Sequence, residues 1–290
     1  MSLLSYSSPS IQGLSLPDAG VEVLVLREDQ NHRYVSGNKW WKLKYNLQAA
    51  VQGGYHTLLT FGGAYSNHIF ATAAAGRELG LKTIGVIRGE ETLPLNSTLS
   101  FATRCGMTLH YVSREAYRNK TDDGFTKELE DRFGDCYLIP EGGTNELAVK
   151  GCHEWGEKLI RDFSFDYLCL AVGTGGTLAG LVEAMPESKT VIGFPVLKGA
   201  EFLASDIREK LTKPKSNWRL QYDYHFGGYA KSTSELLKFM ETMHEHHAIP
   251  LDRIYTGKIM FGVLDLLAKG FFKKGSRVLV LHTGGLQGNQ

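Results

Sequence analysis

The chain has 290 residues, 42% of them hydrophobic and 22% charged, enough apolar material for one large core or two ordinary ones. Its formal net charge of +1 gives no long-range field to gather a polyanion, so nucleic acid is not an expected partner. The opening MSLLSYSSPSIQGLSL has neither a basic start nor a sustained apolar run, and no later stretch suits a membrane span, so a cytoplasmic protein without a membrane partner is expected.

Apolar runs alternate with helical stretches along the chain. VEVLVLRED precedes SGNKWWKLKYNL, where a helix is expected from about Asn38; YHTLLTFGG precedes SNHIFATAAAGRELG, which Gly80 would cap. KTIGVIRGE leads into LNSTLSFATRCG, MTLHYVS into DGFTKELEDRFG, and DCYLIPEGG into TNELAVKGCHEWGEKLIRDF. FDYLCLAVGTGG, TVIGFPVLKG and SRVLVLHTGG continue the strands, with AEFLASDIREKL, TSELLKFMETMHE and GKIMFGVLDLLAKGFF as helices. Parallel strands need long crossovers, so this alternation predicts an α/β protein with open parallel sheets flanked by helices. Gly62-Gly63, Gly142-Gly143, Gly173 to Gly176 and Gly284-Gly285 end apolar runs, where ligands collect in such sheets.

In the first of these helices Trp40, Leu43, Leu47 and Ala50 share one side and should face a core, while Lys42 and Lys44 suit a solvated face. Lys39 falls in the first turn, where the helix dipole disfavours a cation unless the amine is neutral, paired with an anion or covalently converted. VGTGGTLAG, Val172 to Gly180, reads as a phosphate cradle or as a structural turn; it is neither G-x-G-x-x-G nor a P-loop. Ser66 and Asn67 open a helix lined with small residues and suit either capping or ligand contact. PEGGTN, Tyr255-Thr256 and His282-Thr283 also stand at turns where hydrogen-bonding roles are as available as functional ones. The cluster His244, Glu245, His246, His247 does not match H-E-x-x-H, and no metal is expected. Cys105, Cys136, Cys152 and Cys169 form no C-x-x-C pair and are expected to be reduced and mostly buried.

In order, SGNKWWKL, FGGAYSNH, PEGGTN, VGTGGTLAG, YTGK and LHTGG resemble the pyridoxal-phosphate-dependent 1-aminocyclopropane-1-carboxylate deaminases and D-cysteine desulfhydrases, from about Arg27 to Gly285. The resemblance implies the two-lobed tryptophan synthase β-like fold, fold type II, with a larger domain of residues 1–47 and 148–290 and a smaller inserted one of residues 48–147. It implies pyridoxal 5'-phosphate as cofactor, a small amino-acid substrate and a homodimer. Lys39 would be the covalent attachment point, Asn67 would contact the cofactor's 3-hydroxyl, and Ser66 would bind or help activate substrate. Gly173, Thr174, Gly175, Gly176 and Thr177 would form the phosphate loop, Thr283 would stand near the pyridine nitrogen, and Tyr255 and Tyr229 would face substrate.

The implied activity is a lyase or deaminase reaction giving a 2-oxo acid and ammonia. The deaminases of the family carry glutamate after the tyrosine matching Tyr255, where this chain has Thr256, which favours β-elimination of the D-cysteine desulfhydrase type over cyclopropane opening. Cyclopropane-carboxylate deamination, another fold-type-II reaction and a catalytically silent cofactor-binding regulator are the alternatives.

Overall fold

The computed structural model describes residues 2–16 and 20–289. In chain order, strands β1 (Ile11–Gly13) and β2 (Glu22–Leu26) precede helix α1 (Asn38–Gln52). Strand β3 (Thr57–Gly63) is followed by α2 (Asn67–Leu79), β4 (Lys82–Arg88) by α3 (Ser97–Arg104), and β5 (Met107–Val112) by α4 (Asp123–Phe133). Next come β6 (Tyr137–Ile139), α5 (Glu146–Asp162), β7 (Tyr167–Val172), α6 (Gly176–Ala184), β8 (Thr190–Pro195) and α7 (Leu203–Arg208). Strand β9 (Trp218–Leu220), α8 (Ser234–His247), α9 (Thr256–Ala268) and β10 (Arg277–Leu281) complete the regular elements.

The strands form a six-stranded sheet in the order β1-β2-β10-β7-β8-β9 and a four-stranded one in the order β5-β4-β3-β6. All pairings are parallel except β1 with β2, an antiparallel hairpin-like edge beside the parallel body. The chain is therefore α/β with helix-flanked sheets. All strands of the smaller sheet come from residues 57–139, and those of the larger come from either side of that block.

Period-two alternation divides the larger sheet's side chains between two cores. On β7, Leu168, Leu170 and Val172 join the core beneath α1, α5 and α6, whereas Cys169 and Ala171 join the core beneath α9. The smaller sheet repeats this, with Leu59 and Phe61 of β3 packed on Ile84 and Val86, and Leu58 turned into the large core. Helix ends follow the local chemistry. Ser66 and Asn145 accept backbone N–H bonds at the starts of α2 and α5, and left-handed Gly80 closes α2. The four cysteines are free, with Cys152 and Cys169 buried. Among the described residues, no helix is long and apolar enough to cross a membrane, and no three His, Cys, Asp or Glu side chains are grouped to hold a metal.

Helix α1 is buried on more than its apolar side: Trp40, Trp41, Lys42, Leu43, Asn46, Leu47 and Ala50 are all shielded. Trp41 stacks on Trp155 of α5 at 5.8 Å between ring centroids, and its indole N–H reaches Glu28 Oε2 at 3.4 Å. Glu28 also accepts from Asn31 at 2.6 Å and from the Tyr6 hydroxyl at 3.2 Å. Burial raises its carboxyl from 4.5 to about 7 against the opposing pull of these hydrogen bonds.

The folded chain thus holds the Glu28 proton more tightly than the unfolded chain. The resulting stability is complete below about pH 4.5 and is lost as pH rises through about 7. Glu28→Gln should flatten this loss, shrinking the difference in urea-unfolding free energy between mildly acidic and mildly basic pH by on the order of 2 kcal/mol. An unaltered pH slope in the variant would show that another group carries it.

Candidate active site

The turn before α1 is clamped from both sides. Asn31 Nδ2 donates to Gly37 O at 3.1 Å, while the Gly37 N–H donates to Asn31 Oδ1 and Glu28 O, each at 2.9 Å. Gly37 has φ +67°, and a Cβ there would stand 1.9 Å from the Thr283 carbonyl oxygen at the end of β10. This approach sets the start of α1 against the carboxyl edge of the larger sheet. Asn38 then reaches across to donate to Thr177 Oγ1 at 2.9 Å, and Lys39 Nζ donates to Asn38 Oδ1 at 3.0 Å.

Three other helix starts meet the same cavity. Ser66 caps α2, its Oγ accepting from the N–H groups of His68 and Ile69 at 3.2 and 3.3 Å, and the Asn67 side-chain Oδ1 accepts from Gln287 Nε2 at 2.6 Å. After β7 the chain turns through Gly175, with φ +80°, into α6, whose first N–H groups have no side-chain cap. A Cβ on Gly176 would meet Thr144 Cγ2 at 2.7 Å, so this turn holds the two loops close together. Tyr255 stands at the start of α9, its ring edge 3.4 Å from where a Gly173 Cβ would lie.

Asp252 organises the start of α9. Its Oδ1 accepts from the N–H groups of Ile254 and Tyr255 at 2.9 and 2.7 Å, and its Oδ2 from the Thr256 N–H and hydroxyl at 2.9 and 2.6 Å. Thr256 Oγ1 accepts the Asp252 N–H in return at 2.7 Å, so both its hydrogen-bonding directions serve the helix start. From the same helix, buried Lys258 donates to the carbonyls of His225 and Gly228 at 2.9 and 2.8 Å. That anchors the loop carrying Tyr229, whose ring lies 6.2 Å from that of Tyr255 in hydrogen-bond contact.

The cavity is lined by Lys39, Ser66, Asn67, Gly173, Thr174, Gly175, Thr177, Tyr255 and Thr283, residues spread over some 240 positions of sequence. Gly176 stands behind its wall at the start of α6, and Tyr229 stands behind Tyr255. The lining also contains Asn38, Lys42, His68 and Gly142, which the sequence patterns did not single out as site residues. Lys42 is a correction: it is not solvated but 2% exposed, its amine bonded to the Gly142 carbonyl and to Thr144 Oγ1, the latter at 2.8 Å. Thr144 Oγ1 is in turn 2.6 Å from Thr174 Oγ1. The spacing from Lys39 to Lys42, one helical turn, puts both amines on one face but does not tell whether water or a carbonyl receives the second.

Electrostatics follow from this enclosure. Desolvation lowers Lys39 from 10.5 to about 8, with Cys152 and Asp252 pulling the other way. Desolvation, then repulsion by Lys39, lowers Lys42 to about 7. His68 is held well below its ordinary value by burial and by both lysines, so it is neutral near pH 7; Thr60 Oγ1, donating to the Ile139 carbonyl, leaves His68 Nε2 as donor at 2.8 Å. Its Nδ1 is buried without a partner. Burial drives Tyr255 well above 10, so its phenol stays protonated. No carboxylate lines the cavity among the described residues. Lys39, buried Lys42 and the starts of α1, α2 and α6 face this carboxylate-free space and form an anion receptor, while the N–H groups at the start of α9 are taken by Asp252.

Residues 8–284 match the family of pyridoxal-phosphate dependent enzymes, and the chain belongs to it. It is 33% identical over 93% of its length to a provisionally named 1-aminocyclopropane-1-carboxylate deaminase of Pyrococcus horikoshii, covering 86% of that protein. It is 29% identical over 93% of its length to the mitochondrial bifunctional D-cysteine desulfhydrase/1-aminocyclopropane-1-carboxylate deaminase of Arabidopsis thaliana, covering 73% of that protein. The crystal structure of an ACC deaminase homologue superposes with TM-score 0.86 at 30% identity, covering 98% of this chain and 91% of the other. The cofactor is pyridoxal phosphate, and the cavity fits it: uncapped N–H groups and buried Lys42 suit a phosphate, and Lys39 supplies an amine of lowered basicity.

Because the Gly37 approach positions α1, Gly37→Ala should cost at least about 2 kcal/mol of stability and displace Lys39. Thermal unfolding together with the visible absorbance of the lysine-bound cofactor reads both. A variant with unchanged melting temperature and absorbance would mean that the turn relaxes around the added methyl.

Proposed function

We propose that this member of the pyridoxal-phosphate dependent enzyme family is a lyase that removes a β-substituent from a small amino acid, giving a 2-oxo acid and ammonia, as in D-cysteine desulfhydration. The observation that carries the reading is Lys39, an enclosed amine lowered to about 8, sharing one cavity with the Ser66-Asn67 turn, the Gly173–Thr177 loop and Tyr255.

When bound, pyridoxal phosphate supplies an electrophilic carbonyl and a ring that takes up electrons released at the substrate's Cα. The chain's residues do the rest. The N–H groups at the start of α6, with Thr174, Thr177 and Lys42, would hold the phosphate, Asn67 would meet the 3-hydroxyl, and Thr283 would present its hydroxyl to the ring nitrogen. The Ser66 hydroxyl, with the Asn67 N–H at the start of α2, would receive the substrate carboxylate. Lys39 Nζ would take the Cα proton, for which a neutral amine near physiological pH is the requirement. Tyr255 Oη, kept protonated by burial and bonded to Tyr229, is placed to give its proton to the departing group.

Position 256 supports elimination over cyclopropane opening. A cyclopropane substrate has no Cα proton and leans harder on the electron sink, which a carboxylate at the ring nitrogen strengthens. Thr256 is buried outside the cavity's lining with its hydroxyl engaged by Asp252, so position 256 supplies no carboxylate to the cavity.

Wild-type protein loaded with cofactor should release sulfide, 2-oxo acid and ammonia from D-cysteine faster than it opens 1-aminocyclopropane-1-carboxylate. Lys39→Ala should lower that rate by about 10³-fold or more, and Lys42→Met should weaken cofactor retention by at least about tenfold. Ring opening without sulfide release would replace elimination by cyclopropane deamination; retained cofactor with neither product would leave a binding protein. With cofactor-free protein, the rate of covalent capture of pyridoxal phosphate should climb as pH approaches about 8 and then level, since only the neutral Lys39 amine attacks. A rise continuing towards 10.5 would indicate an ordinary, solvated lysine.

A further inference from the structure

We propose that a second cavity beside the Ser66-Asn67 turn, furnished by Arg88 and Arg114, receives an anionic group at the far end of the substrate's β-substituent. This specifies the substrate class and rests on the lyase reading above. The cavity, of about 580 Å³, opens at the carboxyl ends of β4 and β5, and Ala64 and Tyr65, which lead directly to Ser66, form part of its wall.

Register places Arg88 at the reaction site's margin. It is the partner of Gly63, the last residue of β3, and its Nη2 lies 3.5 Å from the point a Gly63 Cβ would take. The guanidinium sits 5.7 Å from the centre of the Tyr117 ring, and Arg114 Nε lies 3.8 Å from the corresponding point on Gly89. Arg88 is near enough to Tyr229 to favour the ionised form of that phenol, and Tyr229 touches Tyr255 on the reaction cavity. Arg88 therefore stands near the tyrosine pair, of which Tyr255 lines the reaction cavity, and beside Gly63 at the strand end that leads to the Ser66 turn.

Both arginines lack a carboxylate partner within 4.0 Å among the described residues, whose ion pairs use other cations. Glu90 is the one carboxylate on this cavity's wall, leaving two cations against one anion. The Tyr111 hydroxyl, also on that wall, is buried without a hydrogen-bond partner. A planar fork of donors plus a phenol suits a carboxylate or similar oxyanion. The substrate's own α-carboxylate is directed to the Ser66 turn, so an anion at Arg88 has to come from the other end of the molecule.

S-carboxymethylcysteine and its neutral isostere S-carbamoylmethylcysteine, in both enantiomers, test the assignment. Each is titrated calorimetrically into Lys39→Ala protein carrying pyridoxal phosphate, and kcat/KM for each is measured on the wild-type chain. The carboxylate should be preferred by about tenfold or more in both measurements. Adding Arg88→Met should reduce the preference below about threefold, with Arg114→Met weaker and Arg88→Lys retaining part of it. Equal binding of acid and amide, or a preference that survives Arg88→Met combined with Arg114→Met, would overturn the proposal. So would succinate bound together with S-carboxymethylcysteine, which would make the pocket an effector site. Calorimetric preference without turnover would sink only the lyase reading; D-cysteine turnover without preference would sink only this one.

Discussion

The contact on which the site depends is between two backbones. Gly37, left-handed and without a Cβ, lies against the carbonyl of Thr283, so the start of α1 abuts the end of β10. Any side chain at position 37 would overlap that carbonyl, and the Asn31 clamp leaves the turn little room to retreat. From this single approach follow the position of Lys39, the reach of Asn38 to Thr177 and the placing of Lys42 one turn deeper. A helix carrying two buried amines is an unfavourable object by itself. Large rings on its other sides, among them Trp41 on Trp155, hold it where solvation alone would not.

Convergence explains the chemistry better than any one residue does. The starts of α1, α2, α6 and α9 arrive from both sheets at one cavity, each with exposed N–H groups or a hydroxyl. Helix termini and enclosed lysines add potential of the same sign, and Lys39 lowers the basicity of Lys42. An anionic cofactor would offset this positive potential, which bears on Lys42 through Lys39, whereas the basicity of Lys39 is lowered by its desolvation. The neutral His68, with its Thr60-directed ring, adds no further charge.

The two arginines at the second cavity extend the same logic outwards. The inner site offers lysines and backbone donors in an enclosed space, suited to a phosphate held permanently. The outer one offers guanidinium forks at a more open rim, suited to a group that arrives and leaves with substrate. Asp252, by contrast, has its carboxylate oxygens occupied by the start of α9, which makes it a builder of the tyrosine's position.

Alternating runs such as FDYLCLAVGTGG and the caps Ser66, Gly80 and Asn145 are local matters, and periodicity with turn chemistry made them legible as strands and helix ends. Ordered motifs likewise marked Lys39, Asn67, Tyr255 and Thr283, which the fold brings to one cavity. The burial of Lys42 was not legible: a lysine beside an apolar stripe has the same pattern whether water or a carbonyl receives its amine. The β1 edge runs antiparallel although its sequence gives no sign of direction, since pairing is decided by the neighbour. The sequence by itself determined most element types and the class of cofactor, and it singled out Lys39 as the candidate attachment point. Only the tertiary structure decided which charges lost their water and which loops met, because desolvation and contact depend on what the rest of the chain places opposite each residue.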